Sequence, residues 1–127
     1  MCIRDRVTIK GLEGGIDLSI SRSSTIGHYK DQQSSRKVLH PKDYECSGKD
    51  IQWNDIDEWH RFALQALNGE GPLTKALEWN AGIYFFYTGL SSDIEEGIKK
   101  AKEVINSGLA LRRLEKLIHW KENNIDS

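Results

Sequence analysis

A short strand followed by glycines and a carboxylate is the first feature of this chain that suggests chemistry. Residues 7–10 alternate apolar and polar side chains, Gly11, Gly14 and Gly15 follow, and Asp17 comes two residues later. Glycines after a strand let a phosphate or a metal-bound ligand approach the main chain. The same pattern can simply turn a corner, and it has neither Walker spacing nor the GxGxxG fingerprint. Both interpretations therefore stay open on spacing alone.

Basic residues are concentrated between positions 22 and 42, where the only acid is Asp31. Such a stretch can bind nucleic-acid phosphates, although Tyr29 is its only aromatic residue able to stack on bases. It can equally be a solvated loop. The positively charged residues are Arg22, Lys30, Arg36, Lys37 and Lys42, with His28 and His40 beside them.

Short strands are predicted to position these residues in the first third of the chain. The alternation of apolar and polar side chains places these strands at residues 7–10, 16–21, 25–29 and 37–40. The polar run at residues 30–37 is predicted to be an exposed loop or hairpin tip, and Pro41 to end the last strand.

Four helices are predicted in the remainder. The most apolar, residues 73–90, opens after Pro72 and closes at Gly89, and other elements must cover it because its second half is apolar nearly all round. The first helix is expected to be capped by Asn54, and the third by a box of Ser92 and Glu95. A fourth follows Gly108, and residues 121–127 are predicted to be a frayed tail.

Composition describes one globular domain. The chain has 127 residues, of which 38% are hydrophobic and 29% charged, with a net charge of -1. We see no signal peptide, membrane span or global basic excess, so a cytoplasmic protein without a membrane partner is expected. Cys2 and Cys46 are too few for a disulfide framework or a cysteine zinc site, and we expect reduced thiols.

Residues 1–6, MCIRDR, differ in character from the rest of the chain. They resemble the translated adapter sequence that often begins open reading frames in assembled reads. We therefore expect the biological sequence to begin near Val7 and to be cut on its N-terminal side. The domain is expected to span residues 7–122, with residues 123–127 as its tail.

Strands followed by helices fit an α+β arrangement or one end of a larger, parallel α/β sheet. The second option explains more, because so few strands cover little of the helical surface. It also explains why four tryptophans need more burial than 127 residues supply. The predicted fold class is therefore α/β.

A family resemblance rests on four segments: RVTIKGLEGGIDLS, LHPKDY, WNAGIYFFYTG and IEEGIKKAKEVINSGLALRRLEKL. Together they resemble anthranilate phosphoribosyltransferases of glycosyltransferase family 3, in the family's order, over nearly all of residues 7–118. The resemblance implies the C-terminal part of the phosphoribosyltransferase/nucleoside phosphorylase-like large domain, in a divergent branch.

The family's enzymes transfer phosphoribosyl from phosphoribosyl pyrophosphate to anthranilate, an aromatic amine, with Mg2+, in tryptophan synthesis. The Gly-Thr-Gly-Gly-Asp loop, the Lys-His-Gly-Asn motif and the anthranilate-contacting arginines of the family lie upstream and have no counterpart here. We therefore expect the fragment to be inactive, and the parent to be a homodimer formed through its N-terminal region.

The resemblance also implies site residues. Asp17 aligns with the aspartate of a metal-binding Asp-Glu pair, whereas Leu18 stands at the glutamate position. Lys10 stands where the family has a histidine before a glycine. Lys10 and Gly11 are the candidate substrate contacts. Glu13 is a candidate replacement for the lost metal ligand. The alternative function is a non-catalytic protein that binds nucleic acid or another anion through its basic loops.

Overall fold

The computed structural model describes residues 6–10 and 17–124. It confirms the predicted order of short strands followed by four helices, and the mixed α/β class. The strands are β1 (Arg6–Lys10), β2 (Ser24–Lys30) and β3 (Gln33–Leu39), followed by a 3-10 turn at Pro41–Tyr44. The helices are α1 (Ile56–Leu67), α2 (Thr74–Tyr87), α3 (Ile94–Asn106) and α4 (Leu109–Asn124).

The three described strands form an antiparallel sheet in the order β1-β2-β3. The expectation of a parallel sheet is therefore wrong for these strands. Asp31 and Gln32, with φ of 49° and 64°, make the two-residue turn between β2 and β3, and so short a turn joins only antiparallel neighbours. The polar run predicted to be an exposed loop or hairpin tip therefore contains a hairpin tip at residues 31–32, while residues 33–37 belong to β3, because an exposed strand tolerates polar side chains.

The strand predicted at residues 16–21 is absent from its described part, residues 17–21. Leu18, Ser19 and Ile20 are all buried, so the side chains do not alternate between a buried and an exposed face. The Leu18 and Ile20 amides are bonded to side chains from distant parts of the chain instead of to a neighbouring strand. Periodicity of residue type was misleading here.

The first two predicted helix caps are each displaced by one residue. Asp55 caps α1, because its carboxylate accepts a hydrogen bond from the Glu58 amide at 2.7 Å. Asn54 donates its side-chain amide to the Glu58 carboxylate instead. In both places two neighbouring residues can cap a helix, so sequence alone does not choose between them.

At α3, Asp93 accepts a hydrogen bond from the Glu96 amide at 2.7 Å, and Glu96 in turn accepts one from the Ser92 amide at 2.7 Å. Asp93, not Ser92, is therefore the N-cap, and Glu96 reaches back to the residue before the cap, so the predicted capping box of Ser92 and Glu95 is not formed. α4 continues to Asn124, so residues 121–124 of the predicted tail are helical.

The core lies between the inner face of the sheet and α2 and α3. Trp79 and Ile83 of α2 are fully buried against Ile26 of β2 and Ile98 of α3. Trp59 is half-buried, whereas Trp53 and Trp120 are 59% and 57% exposed, so this chain buries its tryptophans only in part, as expected. None of the described helices combines the length and the apolar character needed to cross a membrane.

Candidate functional site

The loop that follows Asp17 is held by the side chain of Asn80 on α2. Asn80 Oδ1 accepts a hydrogen bond from the Leu18 amide at 2.8 Å, and Asn80 Nδ2 donates to the Leu18 carbonyl oxygen at 3.0 Å. Nδ2 also donates to the carbonyl oxygen of Ala76, one turn earlier in α2, at 2.9 Å. The primary amide therefore ties the loop to the central helix.

Asp50 holds the same loop from its other side. Its carboxylate accepts hydrogen bonds from the Ser19 hydroxyl at 2.6 Å, from the Ile20 amide at 3.2 Å and from the Ser21 hydroxyl. The Gly48 amide adds a bond to the Ile20 carbonyl oxygen at 3.0 Å. The loop thus has fixed partners although it belongs to no strand.

These contacts keep Asp50 charged. Partial burial opposes ionisation, but the hydrogen bonds from Ser19, Ser21 and the Ile20 amide outweigh it, and the charge of Arg22 acts in the same direction. The pKa of Asp50 is therefore held below its usual value.

Asp17 lies exposed at the edge of a groove of about 550 Å³ between the loop, α1 and α2. The groove is mostly apolar, with walls that include Trp59, Leu73 and Leu77. Burial raises the pKa of the Tyr84 phenol on α2, and the negative charge of Asp17 raises it further. Asp17 therefore stands at the edge of a mostly apolar groove whose lining also includes Lys49 and Asp50.

A second groove, of about 590 Å³, lies on the sheet and is polar and basic. Gly27 pairs with Thr8 on one side and Arg36 on the other, so the middle strand has no side chain at this point. Arg6 and Arg36 line the groove, together with several residues that carry hydroxyl groups. Lys37 follows Arg36 on the strand and points to the opposite face, so the basic stretch of the sequence is divided between surfaces.

Sequence and structure comparisons both find anthranilate phosphoribosyltransferases, although no protein-family profile matches the chain. The anthranilate phosphoribosyltransferase of Methanobrevibacter smithii is 27% identical over 122 residues, which are 93% of this chain and 36% of the relative. The crystal structure of the Thermus thermophilus anthranilate phosphoribosyltransferase has a TM-score of 0.73 at 25% identity and covers 88% of this chain. The resemblance to the anthranilate phosphoribosyltransferases is confirmed.

The chain spans about a third of these enzymes, 36% of the Methanobrevibacter relative and 34% of the Thermus structure. It matches their C-terminal part. The anthranilate phosphoribosyltransferase of Saccharomyces cerevisiae shares the fold, with a TM-score of 0.71 at 21% identity. The match covers 87% of this chain and 34% of that chain, and the structure is of a variant with magnesium bound.

The predicted site residues divide into described and undescribed ones. Lys10 ends β1, exposed and paired with Thr25, while Asp17 lies after the gap at residues 11–16. Gly11 and Glu13 fall inside that gap, outside the described residues, so these assignments stay predictions. Leu18 is 1% exposed and has no side-chain oxygen. Within residues 6–10 and 17–124, no group of three or more His, Cys, Asp or Glu side chains is placed to hold a metal ion.

Sequence reasoning missed Asn80 and Asp50, the two side chains that hold the loop. Asn80 had a signal, because it is a primary amide in the middle of the most apolar helix of the chain. Asp50 had none, since it lies in a segment without periodicity and bonds residues about thirty positions earlier.

Proposed function

We propose that this chain is part of an anthranilate phosphoribosyltransferase-like protein that transfers phosphoribosyl from phosphoribosyl pyrophosphate to an aromatic amine. The observation that carries the proposal is the similarity to relatives of that name over 88–93% of the chain. The activity belongs to the complete protein, of which this chain corresponds to about a third.

Asp17 is the proposed metal ligand. Magnesium in phosphate-transfer sites is often held by one or two carboxylates plus substrate phosphates, so a single exposed aspartate on a fixed loop is compatible with it. When bound, magnesium would neutralise charge on the pyrophosphate. Leu18 contributes no ligand, and we propose Glu13 as the second oxygen donor, with Lys10 and Gly11 facing the substrate.

We further propose that the isolated chain does not catalyse the transfer. The pyrophosphate loop and the anthranilate-contacting arginines of the family have no counterpart among its 127 residues. What remains here is one side of a site, consisting of an exposed carboxylate and the scaffold that holds it.

The test requires the full-length parent protein. With phosphoribosyl pyrophosphate, anthranilate and magnesium, we expect the parent to form the phosphoribosyl amine product and the isolated chain to form none. Asp17→Asn in the parent should lower magnesium-dependent turnover by about tenfold or more, because a metal ligand is lost. Asp57→Asn, an equally exposed change on α1, should leave it unaltered.

Two outcomes would contradict this proposal. A parent without transfer to any aromatic amine would remove the activity. Unchanged magnesium dependence in Asp17→Asn would remove Asp17 from the site while leaving the activity in place.

A second candidate function is binding of nucleic acid, favoured by the basic groove over Gly27. Two arginines and several hydroxyls line it, and guanidinium groups suit phosphate recognition. Arg6 belongs to the stretch predicted to be non-native, so the test depends on Arg36.

For this candidate, the affinity for single-stranded DNA should fall steeply with added salt. Arg36→Ala should weaken binding and flatten the salt dependence, whereas Lys37→Ala, the same charge on the opposite face of β3, should do so less. Equal effects of the two variants, or no binding at low salt, would exclude the groove.

A further inference from the structure

We propose that Asn80 and Asp50 are positioning residues, which hold the backbone after Asp17 so that its carboxylate faces the site. The inference rests on the proposed role of Asp17. It adds two residues from elsewhere in the chain, 62 and 30 positions away from the backbone groups that they hold.

Asn80 acts on the peptide units next to Asp17. The Leu18 amide belongs to the peptide unit that joins Asp17 to Leu18, and it donates to Asn80 Oδ1 at 2.8 Å. The Leu18 carbonyl oxygen belongs to the next unit and accepts from Asn80 Nδ2 at 3.0 Å. One side chain therefore fixes two successive peptide planes, which restricts the direction in which Asp17 leaves the backbone.

The chemistry at this position requires an amide. Asn80 Nδ2 has two N–H donors, and the carbonyl oxygens of Leu18 and Ala76 accept them, while Oδ1 accepts from Leu18. A carboxylate at position 80 can still accept from the Leu18 amide, but it has no N–H to donate. Its second oxygen would be repelled by the carbonyl oxygens of Leu18 and Ala76. Asn80→Asp is therefore nearly isosteric and tests hydrogen bonding rather than volume.

Asp50 fixes the following part of the loop. Its carboxylate accepts from the Ile20 amide and from the hydroxyls of Ser19 and Ser21, and Ser19 Oγ also accepts from the Ser21 amide at 3.0 Å. Three bonds to one carboxylate oppose rotation of the loop as a whole. The side chain of Leu18, which is 1% exposed, additionally anchors the loop to the hydrophobic core.

The first measurement is amide hydrogen exchange on the full-length parent, which does not depend on activity. We expect slow exchange of the Leu18 and Ile20 amides. Asn80→Ala should accelerate exchange at Leu18 more than at Ile20, and Asp50→Asn should do the reverse. Equal acceleration across the protein in both variants would mean that the two side chains only stabilise the fold.

The second measurement is the magnesium concentration at half-maximal phosphoribosyl transfer. Asn80→Asp and Asp50→Asn should raise it by about tenfold, because supports of a metal ligand typically change affinity by this order. They should leave the KM for anthranilate unchanged. Ala101→Gly on α3 is the control, since it lowers stability without touching the loop.

The outcomes separate this inference from the function on which it rests. If Asp17→Asn alters the magnesium dependence but the position 80 and 50 variants do not, the positioning role is wrong and the function stands. If Asp17→Asn has no effect either, the metal role of Asp17 and the positioning role fall together.

Discussion

Gly82 of α2 and Gly97 of α3 face each other where the two helices come closest. A Cβ on Gly82 would lie 2.7 Å from the backbone nitrogen of Ile98, and one on Gly97 would overlap the carbonyl oxygen of Gly82. Both residues are buried. Two helices can approach this closely only where neither has a side chain, so the pair sets the distance between α2 and α3.

Gly97→Ala is expected to lower the free energy of unfolding by about 3 kcal/mol, because the new methyl group meets backbone that cannot rotate away. Gly89→Ala is the control: Gly89 has φ of 80° but no atom within 4 Å of its added Cβ, so only backbone strain of about 1 kcal/mol applies. Urea unfolding of both variants in the full-length parent measures the difference. Equal losses would show that α3 moves freely away from α2.

Asp50 should make stability depend on pH. Burial acts against its charge, but the bonds from Ser19, Ser21 and Ile20 hold the folded-state pKa below the unfolded value. A lowered folded-state pKa contributes stability above the unfolded pKa of about 4, and this contribution disappears as the pH falls through the folded-state pKa.

Asp50→Asn should therefore be less stable than the wild type at pH 7, and the gap should narrow on acidification. Urea unfolding of the full-length parent and its variant between pH 7 and pH 3 provides the comparison. Asp57→Asn controls for the loss of a carboxylate in general. A gap that is constant across this range would show that the Asp50 charge does not matter.

Cys46 should resist modification in the folded protein. It is 1% exposed, and burial raises the pKa of its thiol, an effect that Lys102 opposes and Glu78 reinforces. Because the thiolate is the reactive form, Ellman's reagent should label Cys46 only as the protein unfolds. The measurement uses Cys2→Ser, so that one thiol reports, and fast labelling without denaturant would place Cys46 at the surface.

The isolated chain should self-associate or unfold with little cooperativity. No residue of α4 is buried, and β1 and β3 are both edges of the described sheet. Large apolar side chains are exposed as well, among them Trp53, Ile56, Leu109, Leu117, Ile118 and Trp120. Such surfaces and edges favour association.

Light scattering after size exclusion should show a mass that rises with concentration, and Leu117→Lys on α4 should reduce the rise. Lys116→Gln on the same helix serves as its control, because it changes a charge without removing apolar surface. A soluble monomer with a sharp thermal transition would contradict the expectation.

Local sequence determined the helices, because their apolar spacing and glycine or proline boundaries act within a few residues. Gly82 and Gly97 are the sequence feature that allows α2 and α3 to approach closely. A glycine inside a helix, however, does not indicate which neighbouring element packs against it. The caps at Asp55 and Asp93 were missed by one residue, because two adjacent polar side chains could each serve.

From sequence alone came the order of elements, the buried Trp79 helix, the family resemblance and the candidate Asp17. Only tertiary structure decided the antiparallel sheet, the non-strand conformation of residues 17–21 and the side chains that hold it. The physical reason is range: periodicity and capping act over a few residues, whereas Asn80 meets Leu18 across 62 positions through hydrogen bonds that exist only when α2 is in place.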